Sequence, residues 1–178
     1  MLKCLGAVQK RFEKSAVIYH AGDIAHAFGL VLSGRVQVEN DDFWGNKSVL
    51  ASIEAGDTFA ETYAFLPQEP MMVNVVAAAD VLFLNAEQVI QICPDSCPHH
   101  GMLVRNLLMV SAQKNLMLSR RIFHTAPKTI RGRVLSYLSF QAAHCGSRAF
   151  EIPFNRQQLA DYLSVDRSAL SNELSKMQ

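Results

Sequence analysis

Residues 150–178, FEIPFNRQQLADYLSVDRSALSNELSKMQ, predict two short helices joined by a tight turn. Asn155 is a favourable N-cap residue, and Gln158 follows it at the spacing of a capping box. Asp166 can cap the second helix, which would begin at Arg167. Leucines spaced four residues apart give each helix one apolar face, and a small alanine suits a close helix crossing. These apolar positions are Leu159, Ala160, Leu163, Leu170 and Leu174.

The opposite face of the second helix carries side chains that can read DNA bases. Arg pairs with guanine, Asn pairs with adenine, and Ser accepts several partners. The predicted base-reading residues are Arg167, Ser168, Ser171 and Asn172. Arg156 and Gln157, at the start of the first helix, are placed for phosphate contacts. A two-helix corner within a core is the alternative, but four polar residues on one capped face favour double-stranded DNA as the partner.

The charge distribution agrees with DNA binding by the two predicted helices of residues 150–178, which we call the reader. Residues 127–178 contain 7 Lys and Arg against 4 Asp and Glu, which gives +3, whereas residues 1–126 contain 10 against 12, which gives −2. A basic surplus in the reader is the direction that phosphate binding requires. No apolar run reaches the length of a membrane span, and the N-terminus lacks the apolar core of a signal peptide. We therefore expect a cytoplasmic protein with reduced thiols.

The first 90 residues favour β-strands. Residues 35–39 alternate strictly between polar and apolar side chains, and Gly-Asp turns recur at 22–23 and 56–57. Short strands with such turns indicate an antiparallel barrel or roll. The predicted strands are residues 17–20, 29–39, 49–53, 73–77 and 81–84.

Near residue 86 the pattern of the sequence changes from one typical of strands to one typical of helices. Residues 86–92 predict a short helix, 99–124 a long one, and 128–144 a third that Gly146 can terminate. A break at 125–127 predicts a hinge, and 150–153 predict a short strand. The long helix has two apolar seams, which favours packing against both its own barrel and a twin helix, although burial in a single core is the alternative. One seam is Met102, Met109, Leu116 and Phe123, and the other is Leu103, Leu107, Val110 and Met117.

In this order the parts resemble the cyclic-AMP receptor protein/fumarate-nitrate regulator superfamily of bacterial transcription factors. The resemblance is carried by AGD at 21–23, LSGRVQV at 32–38, GDTFAE at 56–61 and IPFNRQQLADYLSVDRSALSNEL at 152–174. It implies an α+β fold. Its expected parts are an antiparallel β-roll (a cyclic-nucleotide-binding-like jelly roll) at 1–98, a dimerisation helix and hinge at 99–126, and a (winged) helix-turn-helix at 127–178.

The same resemblance implies how the molecule works. It predicts a homodimer, with paired readers on a two-fold symmetric DNA site, a small-molecule effector, and RNA polymerase as a candidate further partner. The protein would be an activator or a repressor. The sequence read here ends at Gln178, whereas the resemblance implies a β-hairpin wing after the second helix.

The predicted effector pocket departs from cyclic-nucleotide-binding relatives. In those relatives a Gly-Glu pair starts a short helix, and the Glu holds the ribose; ten residues later an Arg holds the cyclic phosphate, followed by Ser or Thr. Here the four places are taken by Ala60, Glu61, Met71 and Met72. A buried phosphate without a cation is poorly compensated. We therefore expect no usual cyclic-AMP binding, and an apolar or aromatic effector, or none, in a pocket formed by Glu61, Thr62, Met71 and Met72. Glu61 could remain only as a helix cap.

The predicted DNA reader also departs from its relatives. Asn172 stands where many relatives have Arg, and Ser168 stands where they usually have a base-reading Glu. Glu173 falls at a usually apolar place and could accept a hydrogen bond from cytosine or face solvent. The DNA sequence that is read should therefore differ from the best-known sites.

Other chemistry is weakly indicated. Cys93, Cys97, His99 and His100 place four ligand-type side chains within eight positions, which would suit a metal, a thiol switch or simply a polar turn. No nucleophile elbow and no glycine-rich phosphate loop is present in the sequence. We expect no enzyme activity, no cofactor and no membrane partner. A small-molecule-binding protein with a weak or vestigial DNA reader is the alternative function.

Overall fold

An antiparallel sheet forms the first part of the chain. The computed structural model describes residues 5–41, 44, 47–66, 68–91 and 98–177. The chain divides into two units, residues 1–106 and 107–178. Within the described residues the sheet has the order β1-β5-β2-β3, and the short β4 also pairs with β2. The strands are β1 (Val8–Tyr19), β2 (Ala27–Asp41), β3 (Lys47–Glu54), β4 (Thr58–Phe59) and β5 (Asn74–Asn85).

The central strand β5 corrects the sequence analysis, which predicted two separate strands at 73–77 and 81–84. The intervening residues continue the ladder, with Ala79 paired to Phe12 on one side and to Gly34 on the other. Hydrogen bonding on both edges overrides the poor strand preference of alanine and aspartate. β1 is also longer than predicted, and it contains an irregularity where Ser15 adopts a positive φ of 66°.

The core of the first unit lies on one face of this sheet. Alternate residues of β5 point inward, as the period of a strand requires, whereas in β2 a register shift between Val31 and Ser33 changes which positions face inward. The fully buried members include Val31, Val36, Val75 and Val81. Two short helices, α1 (Glu61–Phe65) and α2 (Ala86–Ile90), flank the sheet. The predicted antiparallel sheet fold is thus confirmed.

Four further elements complete the chain: α3 (Pro98–Thr125), α4 (Ile130–Cys145), α5 (Arg156–Leu163) and α6 (Arg167–Lys176). Thr129 caps α4 by accepting a hydrogen bond from the Gly132 amide at 3.0 Å. Gly146 ends the same helix in the left-handed conformation with φ 64°, as predicted. Across the described residues we find no helix with both the length and the apolarity that crossing a membrane demands.

The segment before α5 is not a strand, so the strand predicted at 150–153 is wrong. Residues 150–155 follow an irregular path in which Ile152 and Phe154 pack against the core of the second unit. Pro153 has no amide proton to contribute to a ladder. The apolar residues in this segment therefore contribute to the core rather than to a sheet.

Candidate functional site

The two helices of the predicted reader are capped as the sequence indicates. The Asn155 side chain accepts a hydrogen bond from the Gln158 amide, and the Gln158 side chain accepts one from the Asn155 amide, each at 2.9 Å. This reciprocal pair is a capping box. Asp166 caps α6 by accepting from the Ala169 amide at 2.9 Å. Ser164 turns the chain between the helices in the left-handed conformation, with φ 53°.

The apolar faces of α5 and α6 meet in the core of the second unit. Leu163, Leu170 and Ala160 are fully buried there, and Val134 and Tyr137 of α4 belong to the same cluster. The absence of a larger side chain at Ala160 allows the two helices to approach closely. α4 thus packs against the buried faces of α5 and α6.

Two arginines that the sequence analysis did not assign hold the turn of the reader. Arg133 of α4 donates to the carbonyl oxygens of Pro127 at 2.9 Å, Leu163 at 3.0 Å and Ser164 at 2.8 Å. Arg121 of α3 donates to the carbonyls of Asp161 and Tyr162 at 3.0 and 3.2 Å. Positive charge at these C-terminal carbonyls also favours the α5 dipole. Each arginine is 30 to 41 residues along the chain from the turn carbonyls that it contacts. No local sequence pattern could therefore indicate these hydrogen bonds.

The predicted base-reading residues lie along α6. Arg167, Ser168 and Asn172 are exposed, whereas Ser171 is half-buried. The Ser168 hydroxyl donates to the Asp166 carboxylate. This bond, with a smaller contribution from the Ala169 amide, holds the pKa of Asp166 below its usual range. Ser168 thus belongs to the helix cap in the free protein.

The two predicted phosphate-contacting residues differ in their surroundings. Arg156 and Gln157 are both exposed at the first turn of α5. The Gln157 amide donates to the Asp161 carboxylate at 2.8 Å, one turn further along the helix. Glu173, whose role was left open, is half-buried and lies 4.0 Å from the Lys176 ammonium.

His124, at the end of α3, is buried among aromatic rings rather than placed at the surface. Its ring lies 5.2 Å from the Phe140 ring and 5.6 Å from the Tyr137 ring, centroid to centroid. Its Nδ1 is 3.1 Å from the Ser136 hydroxyl oxygen. Burial, and secondarily the charge of Arg120, lowers the pKa of His124. The neutral imidazole is therefore the form that this environment favours.

The four predicted effector-pocket residues have different environments. Glu61 is buried at the start of α1, while Thr62 beside it is exposed. Met71 is only 3% exposed and packs in the core of the sheet, whereas Met72 is 76% exposed. One methionine side chain therefore lies in the core and the other in solvent, so the structure does not bring the two together as one surface. Ala60, before Glu61, has a left-handed conformation with φ 61°.

A cavity of about 570 Å³ opens elsewhere in the first unit, between β1, the start of β2 and the end of β5. Its aromatic wall contains Phe12, Tyr19 and Phe83, with Phe83 meeting both other rings edge to face. Lys10 lies at this cavity with its ammonium 5.9 Å from the Phe83 ring centroid. The sequence analysis missed this wall because its residues are far apart in the chain.

The first predicted seam of α3 is exposed in the single chain. Met102, Met109, Leu116 and Phe123 are all at least half exposed, with Phe123 at 65%. In the second predicted seam, Leu103, Leu107 and Val110 are half-buried and Met117 is exposed. A row of large apolar side chains in water marks an interaction surface.

The cysteine and histidine cluster is only partly covered by the structure. Cys93 and Cys97 lie outside the described residues. His99 is exposed, and His100 Nε2 is 2.7 Å from the Val89 carbonyl oxygen. Within the described ranges, no group of three or more potential metal ligands is brought together.

Comparison with known proteins finds a family match for part of the chain and solved structures of similar fold. The cyclic nucleotide-binding domain family matches residues 9–96. No curated protein matches the chain in sequence. CooA from Carboxydothermus hydrogenoformans, in a mutant form, is similar over 99% of this chain and 80% of its own, with a TM-score of 0.61 and 20% identity.

Two further solved structures have the same fold. The c-di-GMP responsive global regulator CLP from Xanthomonas campestris matches over 99% of this chain and 88% of its own, with a TM-score of 0.56 and 18% identity. FixK2 from Bradyrhizobium japonicum matches over 96% and 84%, with a TM-score of 0.52 and 19% identity. Residues 9–96 thus match the cyclic nucleotide-binding domain family in sequence, and the chain shares its fold with the solved structures of CooA, CLP and FixK2.

Proposed function

We propose that this protein is a homodimeric, DNA-binding transcription regulator that senses an effector with its sheet domain. The observation that carries the proposal is the reader itself, in which a capped α6 presents Arg167 and Asn172 to solvent beside a capped α5. Both side chains can make bidentate contacts with base edges in the major groove. Arg156, exposed at the start of α5, is placed for a phosphate contact.

The division of labour follows the three parts predicted from the sequence: a sensing domain at 1–98, a dimerisation helix and hinge at 99–126, and a DNA-binding domain at 127–178. Pairing of two chains along the exposed seam of α3 would remove its apolar side chains from water. Two readers on successive half-sites must be about 34 Å apart. An effector that favours one arrangement of the paired helices would therefore change DNA affinity by a population shift.

The effector is not cyclic AMP bound in the usual way. Met71 occupies the expected place of the phosphate-binding arginine, and its side chain is part of the apolar core. No Lys or Arg occurs between Lys47 and Arg105, so a phosphate there would lack a local cation. The cavity walled by Phe12, Tyr19 and Phe83 supports an apolar or aromatic effector instead.

The test is a comparison of DNA binding by two arginine variants. A binding site is first selected from random duplexes or genomic fragments with the unmodified protein. Arg167→Ala is expected to abolish binding to that site while leaving the dimer intact, because it removes a bidentate base contact. Arg148→Ala is the matched control, since Arg148 is exposed in the same unit but lies outside α5 and α6. Equal binding by both variants would refute the assignment.

A second function is favoured by two hydrogen bonds in the reader. Ser168 is bound to Asp166, and Gln157 is bound to Asp161, so two predicted DNA contacts are engaged within the protein. Side chains engaged in this way are less available to DNA, as expected for a small-molecule-binding protein with a vestigial reader. Such a protein would bind DNA weakly, without sequence preference, and with affinity that falls steeply as salt rises. Failure to select any preferred sequence would favour this alternative.

A further inference from the structure

A second cavity, of about 290 Å³, lies within the unit formed by residues 107–178 and is bordered by α3, α4 and α5. Its walls are largely aromatic. The Tyr137 ring centroid is 5.6 Å from that of Tyr162 and 6.0 Å from that of Phe154, and Phe154 and Tyr162 are 5.1 Å apart. Phe140 borders the same space. At these separations the rings pack on one another, and their surfaces toward the cavity form an apolar, aromatic wall against which a planar ring can lie.

The Tyr137 hydroxyl is the first polar feature of this cavity. Tyr137 is 2% exposed, and within the described residues its buried hydroxyl makes no hydrogen bond of good geometry, although the Gln141 side chain lies close enough to affect its pKa. Burial raises the pKa of Tyr137, and the nearby Gln141 amide opposes only part of that effect. The group therefore remains a protonated donor at neutral pH. Buried polar groups are nearly always paired, so an incompletely paired donor on a residue that lines a cavity points to an acceptor that a ligand could supply after a small side-chain shift.

Arg120 is the second polar feature. Its guanidinium lies 5.1 Å from the Phe140 ring centroid, and within the described ranges it forms no ion pair with a carboxylate. His124, which also lines the cavity, is held neutral by its lowered pKa. The remaining polar groups on the walls are the Gln141 amide and the Tyr162 phenol, whose pKa is raised by burial. The cavity therefore carries one formal positive charge and no formal negative charge.

We propose that this cavity binds a small planar aromatic carboxylate. The ring would lie against Tyr162 and Phe154, and the carboxylate would accept a hydrogen bond from the Tyr137 hydroxyl and pair with Arg120. Charge-assisted hydrogen bonds of this kind are stronger than neutral ones, particularly where water is partly excluded. The site goes beyond the proposed function, in which the effector occupies the sheet domain.

The position of the cavity gives such a ligand a structural consequence. Its walls come from the end of the long helix α3, from α4, and from the first helix of the reader. A bound ring would contact all three elements and so favour the arrangement in which they surround it. The same ligand would thus stabilise the second unit.

Isothermal titration calorimetry of the full chain, without DNA, tests the proposal with benzoate and 2-naphthoate as probes. At least one probe is expected to bind saturably with one site per chain. Benzamide, which has the same ring but no charge, is expected to bind at least about tenfold more weakly than benzoate. Absence of saturable binding by both carboxylates would overturn the proposal. Because no DNA is present, this outcome is independent of whether the protein reads DNA.

Two variants locate the bound probe. Tyr137→Phe keeps the ring and is expected to weaken binding by about fivefold or more, through loss of one hydrogen bond. Arg120→Met is expected to weaken it by about tenfold or more, whereas Arg131→Met, at an exposed arginine of α4, should leave it unchanged. Tyr137→Phe should not lower the thermal midpoint, since the hydroxyl is unpaired in the free protein. Binding that is equally strong in both cavity variants would place the ligand elsewhere and overturn the assignment.

Discussion

Arg133 links the segment before α4 to the turn between α5 and α6, and replacing it should destabilise the second unit strongly. Its guanidinium makes three hydrogen bonds of 2.8 to 3.0 Å, one to Pro127 before α4 and two to Leu163 and Ser164 at the turn. A hydrogen bond to a charged group contributes about 1.5–3 kcal/mol. Full additivity would give at least about 4.5 kcal/mol, but the Ser164 carbonyl is exposed and water can replace that bond. We expect Arg133→Met to cost about 2–4 kcal/mol.

The assay is urea unfolding followed by helical circular dichroism, because the helices lie mainly in the second unit. Arg131→Met is the matched control: it removes the same charge from the same helix, but Arg131 is exposed. The control should change the free energy of unfolding by less than about 0.5 kcal/mol. Arg133→Lys should resemble Arg133→Met, since a single ammonium cannot reproduce a planar fork of donors. If Arg133→Met were as stable as the control, the three bonds would not be holding the turn.

Three further predictions concern the same helices. Because the folded-state pKa of His124 is lowered, its protonation favours the unfolded chain. Stability present above about pH 6.5 should therefore be lost as the pH falls below that value. His124→Gln should flatten this part of a profile of melting temperature against pH. Leu116→Asp or Phe123→Asp on the exposed α3 seam should convert a dimer to a monomer in sedimentation experiments without unfolding it, and a persisting dimer would contradict pairing along that seam. Asp166→Ala should lower the thermal midpoint of the second unit because it removes the N-cap of α6, with Asp166→Asn largely retaining it.

Local signals in the sequence predicted the helices α5 and α6 and their caps well. Asn155 with Gln158, Asp166 and Gly146 each act within a few residues, and the structure confirms each as a cap. Caps can be read from a sequence because the groups that they satisfy are fixed by chain connectivity alone. The turn at Ser164 could be predicted for the same reason, although Ser164 is not a glycine, because the ends of the two helices leave few residues between them.

Features that depend on distant pairing could not be predicted in this way. β5 is continuous through Ala79 only because strands lie on both sides of it. Arg121 and Arg133 donate to carbonyl oxygens at the end of α5 and the turn after it, which lie 30 to 41 residues away along the chain. Met71 and Met72 are adjacent in sequence, yet the backbone sends one into the core and the other to solvent. In each case the tertiary environment, rather than residue type, decides the outcome.

The turn at Ala60 is held in a left-handed conformation by the contacts on both sides of it. A left-handed alanine costs about 1–2 kcal/mol relative to a relaxed conformation, whereas glycine adopts it without that cost. Pairing of Phe59 with Gly29 before the turn, and the hydrogen bond from the Ala64 amide to the Ala60 carbonyl after it, maintain this conformation. The strain at Ala60 is therefore offset by the strand and the helix that the turn joins.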